Sequence, residues 1–306
     1  MDKVSIVKIG EFKESLKRAI EYIIEIPNIR SRIILIKPNI CSDRDVSGGA
    51  TTDIQLIRAL IDLILEKEEK STIKIVESDS AGKYLNKAFE NLGYLKLEDE
   101  YKSKGLNISL INLSRESTEN ISFNGAYFKN RRLPKILSQP KYYITFAKAK
   151  THGLTYITGA LKNQYGCLPE KDKVQHHRHI TEAIIDLNLT IKPDLSIIDA
   201  NIGMEGVNDG LVKNLGLIIC GRYPLSVDAT LARVMGFNPH KIRQLTYGIK
   251  RGLEGSINPH IIGEKIENVV TPLKPPHTTI AGLAVYIPPS IRPFASKIYK
   301  RLITKG

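Results

Sequence analysis

The chain has no tryptophan, and only three cysteines and three methionines among its 306 residues. Cys41, Cys167 and Cys220 stand far apart with no CxxC pair. That excludes a disulfide framework and a cysteine-rich zinc or iron–sulfur site, and it makes a reducing, cytoplasmic location the expectation. No apolar run approaches the roughly 20 residues that span a bilayer. Val4–Ile9 is too short for the apolar region of a secretion signal. Several catalytic signatures are also missing: GxxxxGK[ST], GxGxxG after the first strand, HExxH and GxSxG. Their absence argues against a P-loop, a Rossmann dinucleotide site, a zincin and a serine-hydrolase elbow.

What is present is positive charge. The formal net charge is +13 and the sequence pI about 9.5. Such a balance attracts anions. The excess is spread along the chain, densest at Lys129–Arg132 and in the tail Lys297–Lys305. No RNP-like aromatic motif or basic heptad accompanies it, so a small anionic molecule is a better partner than nucleic acid or a membrane surface. With 42% hydrophobic and 25% charged residues, the composition is that of a globular protein with a core large enough to need no staple.

Strand-like runs alternate with helical periods. The pattern predicts strands at Val4–Ile9, Arg32–Ile36, Thr72–Glu77, Tyr142–Phe146, Leu195–Ile198 and Leu215–Cys220. Helices are expected over Glu14–Ile26, from a Thr51 or Thr52 cap to Glu68, up to Gly93, over Leu154–Tyr165 and Ile180–Ile191, from Ser226 or Asp228 to Met235, and over His240–Gly252. Short alternating runs between Tyr94 and Gln139 read as a small β-rich insertion. The fold class implied is α/β: a mainly parallel, doubly wound sheet with helices on both faces. One domain is expected over 1–270, with the insertion at about 94–140 and a proline-rich basic tail over 271–306 that ends in a short helix.

In open α/β sheets, ligands bind outside the carboxyl ends of the strands. Here those ends carry chemistry. Lys37 and Asn39 follow one strand, Asp79 and Ser80 another, Lys148, Lys150, Thr151 and His152 a third, and Asp199 and Asn201 a fourth. Lys148 and Lys150 alternate along an extended run and so share a side. Lys162 and Asn163 fall in the following helix, whose N-terminal amides attract an anion. The expected substrate contacts are Lys37, Asn39, Asp79, Ser80, Lys148, Thr151, Lys162 and Asn163. His152, with an unperturbed pKa near neutrality, is the expected proton-transfer group. Lys150, crowded by other lysines, is a candidate base or nucleophile. The glycine-rich stretch Asn201–Gly210 reads as a functional loop, with Glu205 as its base or metal ligand.

These segments, together with Pro193–Gly206 and Asp228–Phe237, resemble the DUF362 family from about Arg32 to about Gly263. The family is named for a domain of unknown function, so the resemblance implies fold and boundaries but no reaction. Many members carry a ferredoxin-like iron–sulfur module. This chain has no CxxCxxC run, so no cluster of its own is expected, and an iron–sulfur protein encoded separately is a candidate partner.

One further cluster invites a divalent metal. His176, His177 and His179 stand in a polar segment before a helix carrying Glu182. Two or more of these imidazoles, with Asp199, Glu182 or Glu205, are a candidate ligand set, although the spacing matches no standard motif.

Overall fold

The computed structural model describes residues 2–24, 33–45, 47–81, 83–139, 141–206 and 210–276. Strands β1 (Lys3–Lys8), β2 (Ile33–Pro38), β3 (Thr72–Glu77) and β4 (Ile108–Asn112) come from the first part of the chain. They alternate with helices α1 (Phe12–Glu21), α2 (Ile54–Lys67), α3 (Leu85–Asn91) and α4 (Tyr94–Ser103). A hairpin of β5 (Thr118–Ser122) and β6 (Asn130–Pro134) follows. Then come β7 (Tyr142–His152), β8 (Tyr156–Thr158), α5 (Ala160–Asn163) and α6 (Ile180–Thr190). The last elements are β9 (Leu195–Glu205), β10 (Leu211–Gly221), α7 (Pro224–Val234), α8 (Arg243–Lys250) and β11 (His260–Gly263).

Nine of these strands form one sheet in the order β11-β1-β10-β9-β7-β2-β3-β4, with β8 folded back on β7. The run β9, β7, β2, β3 and β4 is parallel throughout. Only β10 and β8 pair antiparallel with their neighbours. The fold is therefore α/β with a mostly parallel central sheet, and the carboxyl ends of β2, β3 and β7 lie along one edge.

Side chains alternate across a strand, and the core divides accordingly. Ile34 and Ile36 of β2 join an apolar cluster with α1 to α4, while Leu35 joins another with α5 to α8. The same alternation sends Ile144 and Phe146 of β7 to the first cluster, and Tyr143 and Ala147 to the second. Alternate strand residues thus fall into two separate apolar clusters.

The structure departs from the sequence expectations in six places. The first helix spans Phe12–Glu21, and Glu25 and Ile26 lie outside the described residues. Asp53, not a threonine, caps α2 by accepting from the Gln55 amide at 2.9 Å. Of the expected β-rich insertion, α4 and β4 belong to the main fold, and only β5–β6 stands as a separate two-stranded sheet. Leu154–Tyr165 is not one helix: β7 runs on to His152, turns back as β8, and leaves a four-residue α5. Every residue from Tyr143 to Thr151 is buried there, and Lys148 and Lys150 reach their partners, Asp199 and the Ala50 carbonyl, from the extended chain. The stretch 201–205 is not a loop either, since β9 continues to Glu205 and pairs there with Leu211 of β10; residues 207–209 lie outside the described residues. Near the C-terminus, His240–Gly252 is a short 3-10 turn followed by α8. Thr271 and Leu273 still donate backbone hydrogen bonds to Val234 and Met235. The expected basic terminal helix lies outside the described residues.

Candidate functional site

A cleft of about 370 Å³ opens where the carboxyl ends of β2 and β3 meet α5. Asn39, Ile40 and Cys41 form one wall, and Glu77 to Ala81 with Lys83 form the second. Lys162, Asn163 and Gly166 close the third side, with Lys173 and His177 at the mouth. A wider depression of about 690 Å³ lies against α3, α4 and β4, but none of its charged side chains is buried. Burial is what perturbs ionisation, so the chemistry collects in the smaller cleft.

Its floor is a polar network. Lys37 and Glu77, last-turn residues of adjacent parallel strands, form a buried ion pair at 2.6 Å. Asn163 clamps them: its Nδ2 donates to the Lys37 carbonyl at 3.0 Å and to Thr145 Oγ1 at 2.9 Å, while its Oδ1 accepts from Lys37 Nζ and Asn39 Nδ2, both at 3.3 Å. Gly166 lets the chain pass over the pair, because a Cβ there would sit 2.3 Å from Glu77 Oε1 and 2.6 Å from Lys37 Nζ. Lys150 donates to Asn39 Oδ1 at 2.8 Å and to the Ala50 carbonyl at 2.7 Å, and it lies 3.1 Å from Cys41 Sγ.

Five lysines surround this space, and four of them are tied down. Besides Lys37 and Lys150, Lys83 donates to the Ile40 carbonyl at 2.5 Å. Lys173 donates to the Glu170 carbonyl at 2.8 Å and to the Asp79 carbonyl. Lys162 is the exception: among the described residues its ammonium makes no hydrogen bond or ion pair. Burial, then the Lys150 and Lys37 charges, bring its pKa down to about 8. Burial and the Lys83 charge likewise bring Lys173 to about 8. Burial also lowers Lys83, against the pull of Glu77. Burial alone would raise the Glu77 carboxyl, but the Lys37 and Lys83 charges hold it below its ordinary value. Lysines losing protons beside one another mark a site short of negative charge.

The sequence matches the model of a domain of unknown function, DUF362, over residues 34–233. The chain belongs to the DUF362 family. A thylakoid-associated protein of Synechocystis is 26% identical over 231 residues, covering 72% of this chain and 68% of that protein. Among solved structures, the lactate racemase apoprotein of Thermoanaerobacterium thermosaccharolyticum aligns with a TM-score of 0.40 at 13% identity. That alignment covers 67% of this chain and about half, 51%, of the racemase chain.

The DUF362 match spans the elements that build the cleft, and its buried polar residues brace them. Asp228 of α7 is fully buried and accepts from the Ala160 and Leu161 amides at 2.6 and 3.0 Å. The N-terminus of α5, expected to attract a ligand anion, is therefore already filled by a carboxylate of the protein. Gly159 makes room, since a Cβ there would lie 2.2 Å from Asp228 Oδ1. Burial raises the Asp228 carboxyl to about 7.

Of the sequence-derived candidates, Asn39, Asp79, Ser80, Lys162 and Asn163 line the cleft, and Lys37 lies under it. Asp79 spends Oδ1 on the Leu85 amide at 2.7 Å and on Asn112 at 3.1 Å, and its Oδ2 has no hydrogen bond among the described residues. Lys148 is elsewhere. It pairs with Asp199 at 2.8 Å in the core, where Asp199 also accepts from the Asp53 and Asn201 amides. Thr151 is buried in the β7–β8 ladder. His152 does not line the cleft. Its Nδ1 accepts from the Leu154 amide at 3.1 Å, and burial with the Lys162 charge holds its pKa well below the usual histidine range. Glu205 lies far along the β9–β10 arm, held by Lys213 at 3.1 Å and by the Lys274 amide at 2.7 Å.

The histidines are not gathered around a metal. Among the described residues, no three His, Cys, Asp or Glu side chains are placed to hold one. Residues Lys173–His179 form a 3-10 turn, whose threefold repeat puts His176 and His179 on one side and His177 on another. Both His176 nitrogens are engaged, by Tyr127 Oη at 3.0 Å and by Glu170 Oε1 at 2.6 Å. His179 stacks on the Tyr127 ring at 5.0 Å. Only His177 faces the cleft. Asp199 is bound in the core as described, so the expected ligand set is split between two regions.

Sequence reasoning passed over Glu77, Lys83 and Lys173. A signal for Glu77 existed, since two neighbouring apolar strands end in Lys and Glu. Lys83 and Lys173 lie in turns whose course is set by tertiary contacts.

Among the described residues, no helix is long and apolar enough to cross a membrane.

Proposed function

We propose that this DUF362 protein is an enzyme acting on a small anionic metabolite in the lysine-lined cleft, with Lys162 as the group that exchanges a proton with the substrate. The observation that carries this reading is the contrast among the lysines. Four hold the scaffold through hydrogen bonds, whereas Lys162 borders an open space with its donors unused. An amine with a pKa near 8 is suited to general acid–base work at neutral pH. Lys83 and Lys173 retain donor capacity for the anion, because an ammonium carries three N–H groups. The volume falls in the range of small-molecule sites. No disulfide joins Cys41, Cys167 and Cys220, in keeping with a reducing compartment.

The test is a thermal-shift and turnover screen with inorganic phosphate, mono- and dicarboxylates and phosphorylated metabolites. At least one such anion should raise the melting midpoint of the wild type and be converted. Lys162→Ala should fold normally, bind that anion about tenfold or more weakly, as expected for a lost charge-assisted hydrogen bond, and lose turnover. Binding without conversion of any anion would instead make this a non-catalytic binding protein. An unchanged midpoint with every anion would remove the reading altogether.

A further inference from the structure

The geometry points to a 2-oxo acid as the substrate class, its carbonyl carbon captured by Lys162 as an imine while Lys83 and Lys173 hold its carboxylate. This assignment rests on the anion-site reading above. Imine formation needs an amine that can shed its proton and is free to move. Lys162 meets both conditions, because no acceptor among the described residues fixes its Nζ and the Lys150 and Lys37 charges oppose its protonation. Glu77, a carboxylate of the same cleft, is committed to Lys37 at 2.6 Å. Desolvation beside other cations is a recognised route to a nucleophilic lysine.

The step balances without an outside oxidant or reductant. The neutral Lys162 amine adds to the ketone carbon, a C–N bond forms and the oxygen becomes a hydroxyl. The nitrogen passes one proton to that oxygen, a second proton taken from solvent turns the hydroxyl into water, the C–O bond breaks and water leaves, and the imine keeps the remaining N–H proton and with it the positive charge. Asp79 lines the same cleft with Oδ2 unbonded among the described residues, and it can relay the proton to the departing hydroxyl. The cationic imine then withdraws electrons from the adjacent carbon, C3 of the acid, which eases loss of a proton there.

The experiment incubates the full chain with pyruvate, 2-oxobutyrate and 2-oxoglutarate in the presence of cyanoborohydride, followed by intact-mass measurement and peptide mapping. At least one oxo acid should leave a single adduct of its own mass less one oxygen atom, mapped to Lys162. The adduct should vanish in Lys162→Arg, which keeps a cation but cannot form the imine, and persist in Lys96→Arg, a change at an exposed lysine of α4 away from the cleft. Label on Lys173 or spread over surface lysines, equal in Lys162→Arg, would overturn the assignment. So would the absence of any adduct while glutarate, which has no ketone, still raises the melting midpoint; the anion site would then stand without the imine. Neither adduct nor midpoint shift with any of these acids would overturn the imine and count against the anion site too.

Discussion

At the scale of the residue, Lys162 has a thermodynamic sign that can be measured. Its folded pKa of about 8 is below the ordinary lysine value, so the unfolded chain binds the extra proton between pH 8 and about 10.4. Stability therefore rises as pH climbs through that window, and below pH 8 the charged amine is a standing cost to the fold. Lys162→Met should raise the melting midpoint at pH 7 and flatten the rise above pH 8 in thermal melts, although it should weaken anion binding about tenfold or more. Lys37 behaves oppositely. Removing it leaves Glu77 as an unpaired charge in a buried site, a loss of about 3–5 kcal/mol. Chemical denaturation of Lys37→Met should show this loss, and adding Glu77→Gln should recover much of it. Both positions were readable in part. The sequence marks Lys37 and Lys162 as strand-end and helix lysines, but their opposite roles depend on Glu77 lying beside Lys37, and that is set by strand order.

At the scale of the element, α5 is too short to be stable alone, and Asp228 and Gly159 hold it against the sheet. Gly159→Ala would force a methyl onto the Asp228 carboxylate. It should cost about 1–3 kcal/mol through overpacking and weaken anion binding together with stability. Asp228 adds a pH dependence. Its folded pKa of about 7 is above the unfolded value, so its contribution is fully present below about pH 4 and is lost as pH rises toward 7. The stability of the wild type relative to Asp228→Asn should fall across that window, as read by urea denaturation. Most strands were legible from their apolar runs. The corner after β7 was not, because its glycines and polar residues suit a helix start as well as a hairpin. What decides is burial: Lys150 and Thr151 find partners only in an extended chain. The histidine segment failed differently. Its partners, Tyr127 and Arg131, come from the β5–β6 region about 45 residues earlier, and the Tyr127 loop is itself pinned by Asp186, which accepts from the Ala126, Tyr127 and Phe128 amides. No local pattern announces such a contact.

At the scale of the molecule, the +13 charge is diffuse over the surface but concentrated where the parallel strands end. The sequence reading named six of the residues that line the cleft, five of them through the rule that ligands sit at the carboxyl ends of parallel strands and His177 as a metal-ligand candidate. It could not separate lysines that brace the structure from the one left open. That distinction is the central claim, and anion binding should express it as proton uptake, because a bound carboxylate raises the pKa of Lys162 and Lys173 from about 8. The most direct test is calorimetric titration of 2-oxoglutarate into wild type and Lys162→Met at pH 8, in two buffers of different ionisation enthalpy. The account predicts binding to the wild type with net proton uptake, and at least tenfold weaker binding to the variant. Equal affinity for both proteins, or binding with no proton uptake, would contradict it.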